Sequence, residues 1–215
     1  MRKHVICFGD SNTHGYCAMT NGRFNEDERW TCLLSKKLGD DFLVIEEGLS
    51  GRTTCFDDPI HEGLCGLDYI YPCLMSHEPV DLLIIMLGTN DTKERFGSSA
   101  ACIALGLKRL AEKAAAAKEA WRGGHPEILL VVPQNIAPEY ADTEIALTMG
   151  RGCAEKSEQL AYEFQKTAVL LGCHYLDANK VISAKTNTID YMHLTLEGHR
   201  QLADALADEV KKILI

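Results

Sequence analysis

Leu82-Leu83-Ile84-Ile85-Met86-Leu87 is an unbroken run of apolar residues. A strand with one face in water alternates apolar and polar side chains, so a strand without alternation has both faces covered. Such a strand belongs inside a sheet that is itself enclosed between two layers. Ile128 to Val132 has the same character and stops at Pro133. Val5-Ile6-Cys7-Phe8 stops at Gly9. Phe42-Leu43-Val44-Ile45 and the shorter His174-Tyr175-Leu176 complete a set of five candidate strands.

Helical patterns fall between and after these strands. Trp30 to Leu38 has helical spacing and ends at Gly39, and Leu67 to Met75 reads as a short helix interrupted by Pro72. Ser98 to Trp121 is rich in Ala, Lys and Leu and is closed by Gly123-Gly124. A further helix spans about Cys153 to Leu171 and stops at Gly172. The last starts from Thr195 as N-cap and runs to about Leu214. Strands alternating with helices predict an α/β fold: a three-layer α/β/α sandwich around a five-stranded parallel sheet with right-handed crossovers. With no repeat and no linker, residues 1–215 are expected to form one domain.

Composition narrows the function classes. Lys and Arg number 22 against 31 Asp and Glu, a net charge of −9. That excess is wrong for a general nucleic-acid binder and supplies no polybasic membrane anchor. No apolar run approaches the roughly 20 residues of a membrane span. The stretch from Val5 to Gly9 is too short for a secretory core, so the chain is expected to be unprocessed and cytoplasmic. Its nine cysteines contain no C-x-x-C pair, which argues for reduced thiols and against a zinc or redox motif. Asp57, Asp58, Glu46 and Glu47 have no histidine at metal spacing, so no metal and no cofactor are expected.

Ligands of parallel sheets bind beyond the carboxyl ends of the strands. Four places satisfy that filter. Gly9-Asp10-Ser11-Asn12 follows the first strand and presents a serine hydroxyl above the sheet. Gly48-Leu49-Ser50-Gly51-Arg52 follows the second, where glycine lets a ligand approach the backbone. Gly88-Thr89-Asn90-Asp91 follows the third, and an Asn amide there can donate to an oxyanion. Asp190-Tyr191-Met192-His193 precedes the last helix. Its histidine can take and return a serine proton while the aspartate holds the other ring nitrogen. Taken singly, each also reads as an ordinary turn or loop. Taken together, they supply a nucleophile, oxyanion donors and an acid–base pair in one chain.

The ordered set Gly9-Asp10-Ser11, Ser50-Gly51, Gly88-Thr89-Asn90-Asp91 and Asp190-x-x-His193 resembles the four blocks of the SGNH hydrolases, also called GDSL esterases. Cys7-Phe8-Gly9-Asp10-Ser11, Glu28-Arg29-Trp30, Glu46 to Thr54 and Met86 to Lys93 are similar to stretches of the small bacterial arylesterase and acyltransferase branch. The resemblance implies the flavodoxin-like SGNH hydrolase fold and a serine esterase working through an acyl-enzyme. Ser11 would be the nucleophile, His193 the general base and then acid, and Asp190 its orienting partner. The oxyanion hole would be the Ser11 and Gly51 N–H groups and the Asn90 side chain.

Asp10, Arg52 and Asp91 are expected to brace the site through hydrogen bonds. His199 is expected to be structural and His14 to face solvent. The family's usual Leu after the serine is Asn12 here, expected to make the pocket floor more polar. Pro133 to Gly152 is long for a connection and carries Ile136, Tyr140, Ile145, Leu147 and Met149. It is expected to narrow the entrance to short acyl groups such as acetyl and to support a homo-oligomer. The partner is a small-molecule ester, with transfer to an alcohol or peroxide as a further possibility of the same chemistry. An acetylated carbohydrate or an acyl thioester competes as substrate. A non-catalytic module on a flavodoxin-like sheet fits poorly, because the third strand ends in Gly88-Thr89-Asn90 and no Lys directly follows Leu176. A nucleotide-binding module fits no better, as no G-x-G-x-x-G or Walker sequence follows the first strand.

Overall fold

A computed structural model describes residues 1–215. The chain runs β1 (Lys3–Gly9), α1 (Ser11–His14), β2 (Tyr16–Cys17), β3 (Gly22–Arg23), α2 (Trp30–Leu38), β4 (Phe42–Gly48), α3 (Gly66–Ser76), β5 (Leu82–Met86) and α4 (Ala100–Ala116). It continues through β6 (Ile128–Val132), α5 (Ala146–Met149), α6 (Cys153–Leu171), β7 (His174–Asp177), α7 (Ala178–Val181) and α8 (Leu196–Leu214). Five strands form one parallel sheet in the order β4-β1-β5-β6-β7. That is the flavodoxin-like order expected of the family.

The strands bury side chains on both faces, as their unbroken apolar character requires. On one face Ile6, Phe8, Leu83, Ile85, Leu130 and Val132 pack with Ile70 and Leu74 of α3, Leu107 and Leu110 of α4, and Leu160 and Phe164 of α6. On the other, Val5, Cys7, Leu82, Ile84, Leu129 and Val131 pack with Trp30 and Leu34 of α2 and Leu202, Leu206 and Val210 of α8. Each such side chain contributes about 1.5–3 kcal/mol by leaving water, so both faces anchor the strand ends that carry the site. No helix is long and apolar enough to cross a membrane.

Two local expectations are corrected. Pro72 does not interrupt its helix: α3 runs unbroken from Gly66 to Ser76, with Pro72 on its exposed face. The carbonyl that loses its helical donor to the proline is that of Asp68, also exposed, where water can satisfy it. The Ala-rich helix stops at Ala116 rather than reaching Trp121. There Val80 N–H donates to Ala120 O and Arg122 N–H to Val80 O, while Trp121 Nε1 donates to Ala114 O at 2.9 Å. These bonds draw the chain alongside the segment that enters β5. The segment from Pro133 to Gly152 holds a 3₁₀ turn at Pro138–Asp142 as well as α5. It buries Ile136, Tyr140 and Met149 in a small cluster with Cys153 and Met192 and leaves Leu147 exposed.

Candidate active site

In-register pairing of Gly9 with Gly48 and with Met86 brings the carboxyl ends of β4, β1 and β5 level. The chain order reverses between β1 and β5, the crevice where ligands of such sheets bind. Asp10 ends β1 by capping α1: its Oδ1 accepts from Asn12 N–H at 3.0 Å, which turns the chain sharply and sets Ser11 at the first position of the helix. Ser11, Gly51, Asn90, Asp190 and His193 all line one cavity of about 640 Å³.

Ser11 Oγ donates to His193 Nε2 at 2.8 Å, and His193 Nδ1 donates to Asp190 Oδ2 at 2.8 Å. Asp190 Oδ1 accepts from Asn187 Nδ2, Met192 N–H and His193 N–H at 2.8, 3.0 and 3.1 Å. Burial by itself would raise the Asp190 carboxyl, but the hydrogen bond and charge of His193 and the two backbone donors hold it well below the usual carboxylate range. It therefore stays ionised and fixes the imidazole tautomer that leaves Nε2 free to accept from serine. The Tyr16 ring lies against the imidazole, with centroids 4.6 Å apart.

Gly51 has φ +90°, and a Cβ there would meet Leu64 Cδ1 at 2.9 Å, so the turn after β4 requires glycine. Asn90 Nδ2 donates to Asp10 Oδ2 at 3.4 Å, which orients its amide across the top of β1. Burial pushes Asp10 up to about 6, against the pull of the Asn12 N–H and the positive charges nearby. Burial likewise raises Asp91 to about 6, although it accepts from Thr54 N–H and Thr54 Oγ1. Arg52 lies beneath the site: its guanidinium donates to Gly9 O at 3.0 Å and to Glu47 O, and sits 4.2 Å over the Phe8 ring.

Other residues singled out in the sequence fall elsewhere. His14 is partly exposed and lies outside the cavity. His199 is fully buried, its Nδ1 accepts from Trp30 N–H at 3.2 Å, and burial lowers its pKa to about 3, so it stays neutral. Asn12 does not form the pocket floor. Its side chain is buried against the backbone of the Asp190–His193 loop and is absent from the cavity wall. Glu47 does have a histidine neighbour: His77 Nε2 lies 2.7 Å away, with Cys73 Sγ close by. Sequence spacing hid that group because Glu47 is the penultimate residue of a strand, while Cys73 and His77 lie in and just after the last turn of a helix.

Nothing in the chain's motifs marked the roles of Asn187 and Tyr16 around the Asp–His pair. Nor did they place Lys93, which closes the Met86–Lys93 stretch, on the cavity wall, where it is buried with its Nζ 3.7 Å from Asp58. Burial lowers the pKa of this ammonium.

A serine hydroxyl bonded to an imidazole that is held by a buried carboxylate, on this sheet, defines the class of serine hydrolases. The chain belongs to the GDSL-like lipase/acylhydrolase family, whose model matches residues 7–201. It is an ester-hydrolysing serine hydrolase. Among solved structures it is similar to the native aryl esterase of M. smegmatis, with 38% identity and a TM-score of 0.89 over 99% of this chain and 100% of that one. It is also similar to Est24, a carbohydrate acetylesterase from Sinorhizobium meliloti, with 36% identity, a TM-score of 0.90 and the same shares. A putative arylesterase from Agrobacterium tumefaciens str. C58 has 36% identity and a TM-score of 0.87, covering 99% of this chain and 100% of its own. No curated protein sequence matches the chain.

Proposed function

We propose that Ser11 attacks the carbonyl of a short-chain carboxylic ester while His193 takes the hydroxyl proton. The Ser11 and Gly51 N–H groups and the Asn90 amide receive the oxyanion. Collapse of the tetrahedral intermediate expels the alcohol with the proton from His193. Water, activated by the same imidazole, then frees the acid from the acyl-enzyme. Asp190 stabilises the imidazolium in both steps, and Asp10, Arg52 and Asp91 hold the surrounding turns. The observation that carries this reading is the unbroken chain from Ser11 Oγ through His193 to the ionised Asp190, opening on a cavity.

Acetyl-type esters are the proposed substrates, with the apolar side chains of Ile145, Met149 and Ile189 on the cavity wall to receive a short acyl group. An acetylated carbohydrate is the second reading: Asn21, Lys93, Glu144 and Thr148 give the same wall polar groups for hydroxyls, and Est24 is similar across the whole chain. Acyl transfer to an added alcohol is part of the proposal. So is a homo-oligomer formed through the face that carries the exposed Leu147; light scattering that finds only a 23.8 kDa species would sink that part. Nine free thiols suit a reducing, cytoplasmic setting.

The test is hydrolysis of p-nitrophenyl esters of increasing acyl length, with Ser11→Ala in parallel. Activity that is greatest on acetate and lost in the variant supports the reading. Activity that persists in Ser11→Ala removes the serine mechanism, and activity that peaks on long chains removes the short-acyl assignment.

A further inference from the structure

Asn12 follows the nucleophile directly, and its side chain turns away from the cavity. Asn12 Oδ1 accepts from Leu194 N–H at 2.9 Å, and Asn12 Nδ2 donates to Met192 O at 3.4 Å. These two groups belong to the peptide units on either side of His193. One amide therefore grips the backbone of the general base at both ends. The main chain of Asn12 is itself anchored, because its carbonyl accepts from Trp30 Nε1 at 3.0 Å.

The other bonds that shape this loop come largely from within it. His193 N–H donates to Asp190, and His193 O accepts from the Asn187 N–H and Nδ2. Asn187 and Asp190 would move together with His193 if the loop shifted. Asn12 instead belongs to the turn that carries Ser11. It links nucleophile and base across 182 residues of sequence. The leucine usual at this position in the family could make neither bond.

We propose that Asn12 is a positioning residue that sets the separation of Ser11 Oγ and His193 Nε2, so that proton transfer, rather than ester binding, depends on it. The inference rests on the serine reading above. Proton transfer is sensitive to sub-ångström displacement, and a misplacement of about 1 Å costs on the order of 10²-fold.

The experiment compares Asn12→Leu, Asn12→Asp, Leu110→Ala and Ser11→Ala by p-nitrophenyl acetate kinetics, fluorophosphonate labelling rate and thermal unfolding. Asn12→Leu removes both bonds while keeping the branch at Cγ. Its kcat and labelling rate are expected to fall by about 10–100-fold with KM within about threefold of wild type. Asn12→Asp keeps an acceptor for Leu194 N–H but sets an oxygen against Met192 O. It is expected to lose kcat in the same KM-independent way, and it serves as the readout should the leucine variant not fold.

Leu110→Ala removes a fully buried core side chain of α4 that touches neither the cavity nor the Asn12 contacts. It is expected to lower the unfolding temperature while kcat stays within about threefold, which separates positioning from stability. Wild-type kcat in the folded Asn12 variants, or a loss confined to KM, overturns the proposal while an inactive Ser11→Ala leaves the serine reading standing. Activity retained in Ser11→Ala overturns both.

Discussion

Asp190→Asn tests the electrostatic half of the proposed site without disturbing its shape. Asp190 Oδ1 is surrounded by three donors, Asn187 Nδ2 and the N–H groups of Met192 and His193. In the variant only the amide oxygen can occupy that position, because an NH₂ group would face three donors. The NH₂ is then directed at His193 Nδ1, where the carboxylate now accepts at 2.8 Å. To accept from it, Nδ1 must give up its proton, and the ring proton moves to Nε2. His193 then points a hydrogen at Ser11 and cannot take one.

The expected loss in kcat is on the order of 10³–10⁴, the effect of a wrong tautomer in a triad. That corresponds to about 4–5.5 kcal/mol of barrier. Asp190→Ala should match it in activity and add a loss of stability of about 1–3 kcal/mol for each donor left buried without an acceptor. The assay is p-nitrophenyl acetate hydrolysis near neutral pH beside a thermal melt. A folded Asp190→Asn variant retaining more than about a tenth of wild-type kcat would refute the tautomer argument.

Two further outcomes follow from the same geometry. If Asn90 is the oxyanion donor proposed above, Asn90→Ala should lower kcat by about 10²–10³ with little change in KM; steady-state kinetics checks it. Burial would raise the Glu46 carboxyl, but the paired bonds from Arg29 at 2.7 and 2.8 Å, with Thr31 Oγ1, hold it near 2 against an ordinary value of 4.5. The folded state therefore keeps this carboxylate ionised at a pH where the unfolded chain has protonated it. The contribution is full above about pH 5 and is lost as pH falls from about 4.5 towards 2. Urea unfolding at stepped pH should show stability declining over that window, and Arg29→Met should flatten the decline.

Much of this was legible in the chain because two kinds of signal are strong. Continuous apolar runs such as Leu82–Leu87 occur where both strand faces are buried, and the sheet follows from them. Ser11, Gly51 and Asn90 each follow a strand, and His193 precedes the last helix, so the rule that ligands bind at strand ends brought them together before any contact was visible. What stayed hidden depends on side-chain direction or on distant backbone. Asn12 adjoins the nucleophile, and adjacency says nothing about which way its amide turns. Glu47, Cys73 and His77 meet only because a strand end and a helix end converge. The Ala-rich run to Trp121 has uniform helical composition, and its early end is imposed by bonds to Val80 that no local pattern encodes. The two-residue strands β2 and β3 are too short to carry a period at all.

Gly48 shows how the hidden and the legible parts depend on one another. From sequence it reads as loop glycine before Leu49-Ser50-Gly51. In the fold it is the last residue of β4, and a Cβ there would come within 2.1 Å of His14 N and 2.5 Å of Thr13 C. Those atoms are backbone of the α1 turn, so no rotamer change relieves the overlap. The turn that carries Ser11 can settle onto the end of the sheet only because position 48 has no side chain. Its descent places Asn12 within reach of Leu194 N–H and Met192 O, and with them His193 within reach of Ser11. The Ser–His distance is thus the product of strand register, one absent methyl group and one amide. All three lie outside the four blocks by which the site is read.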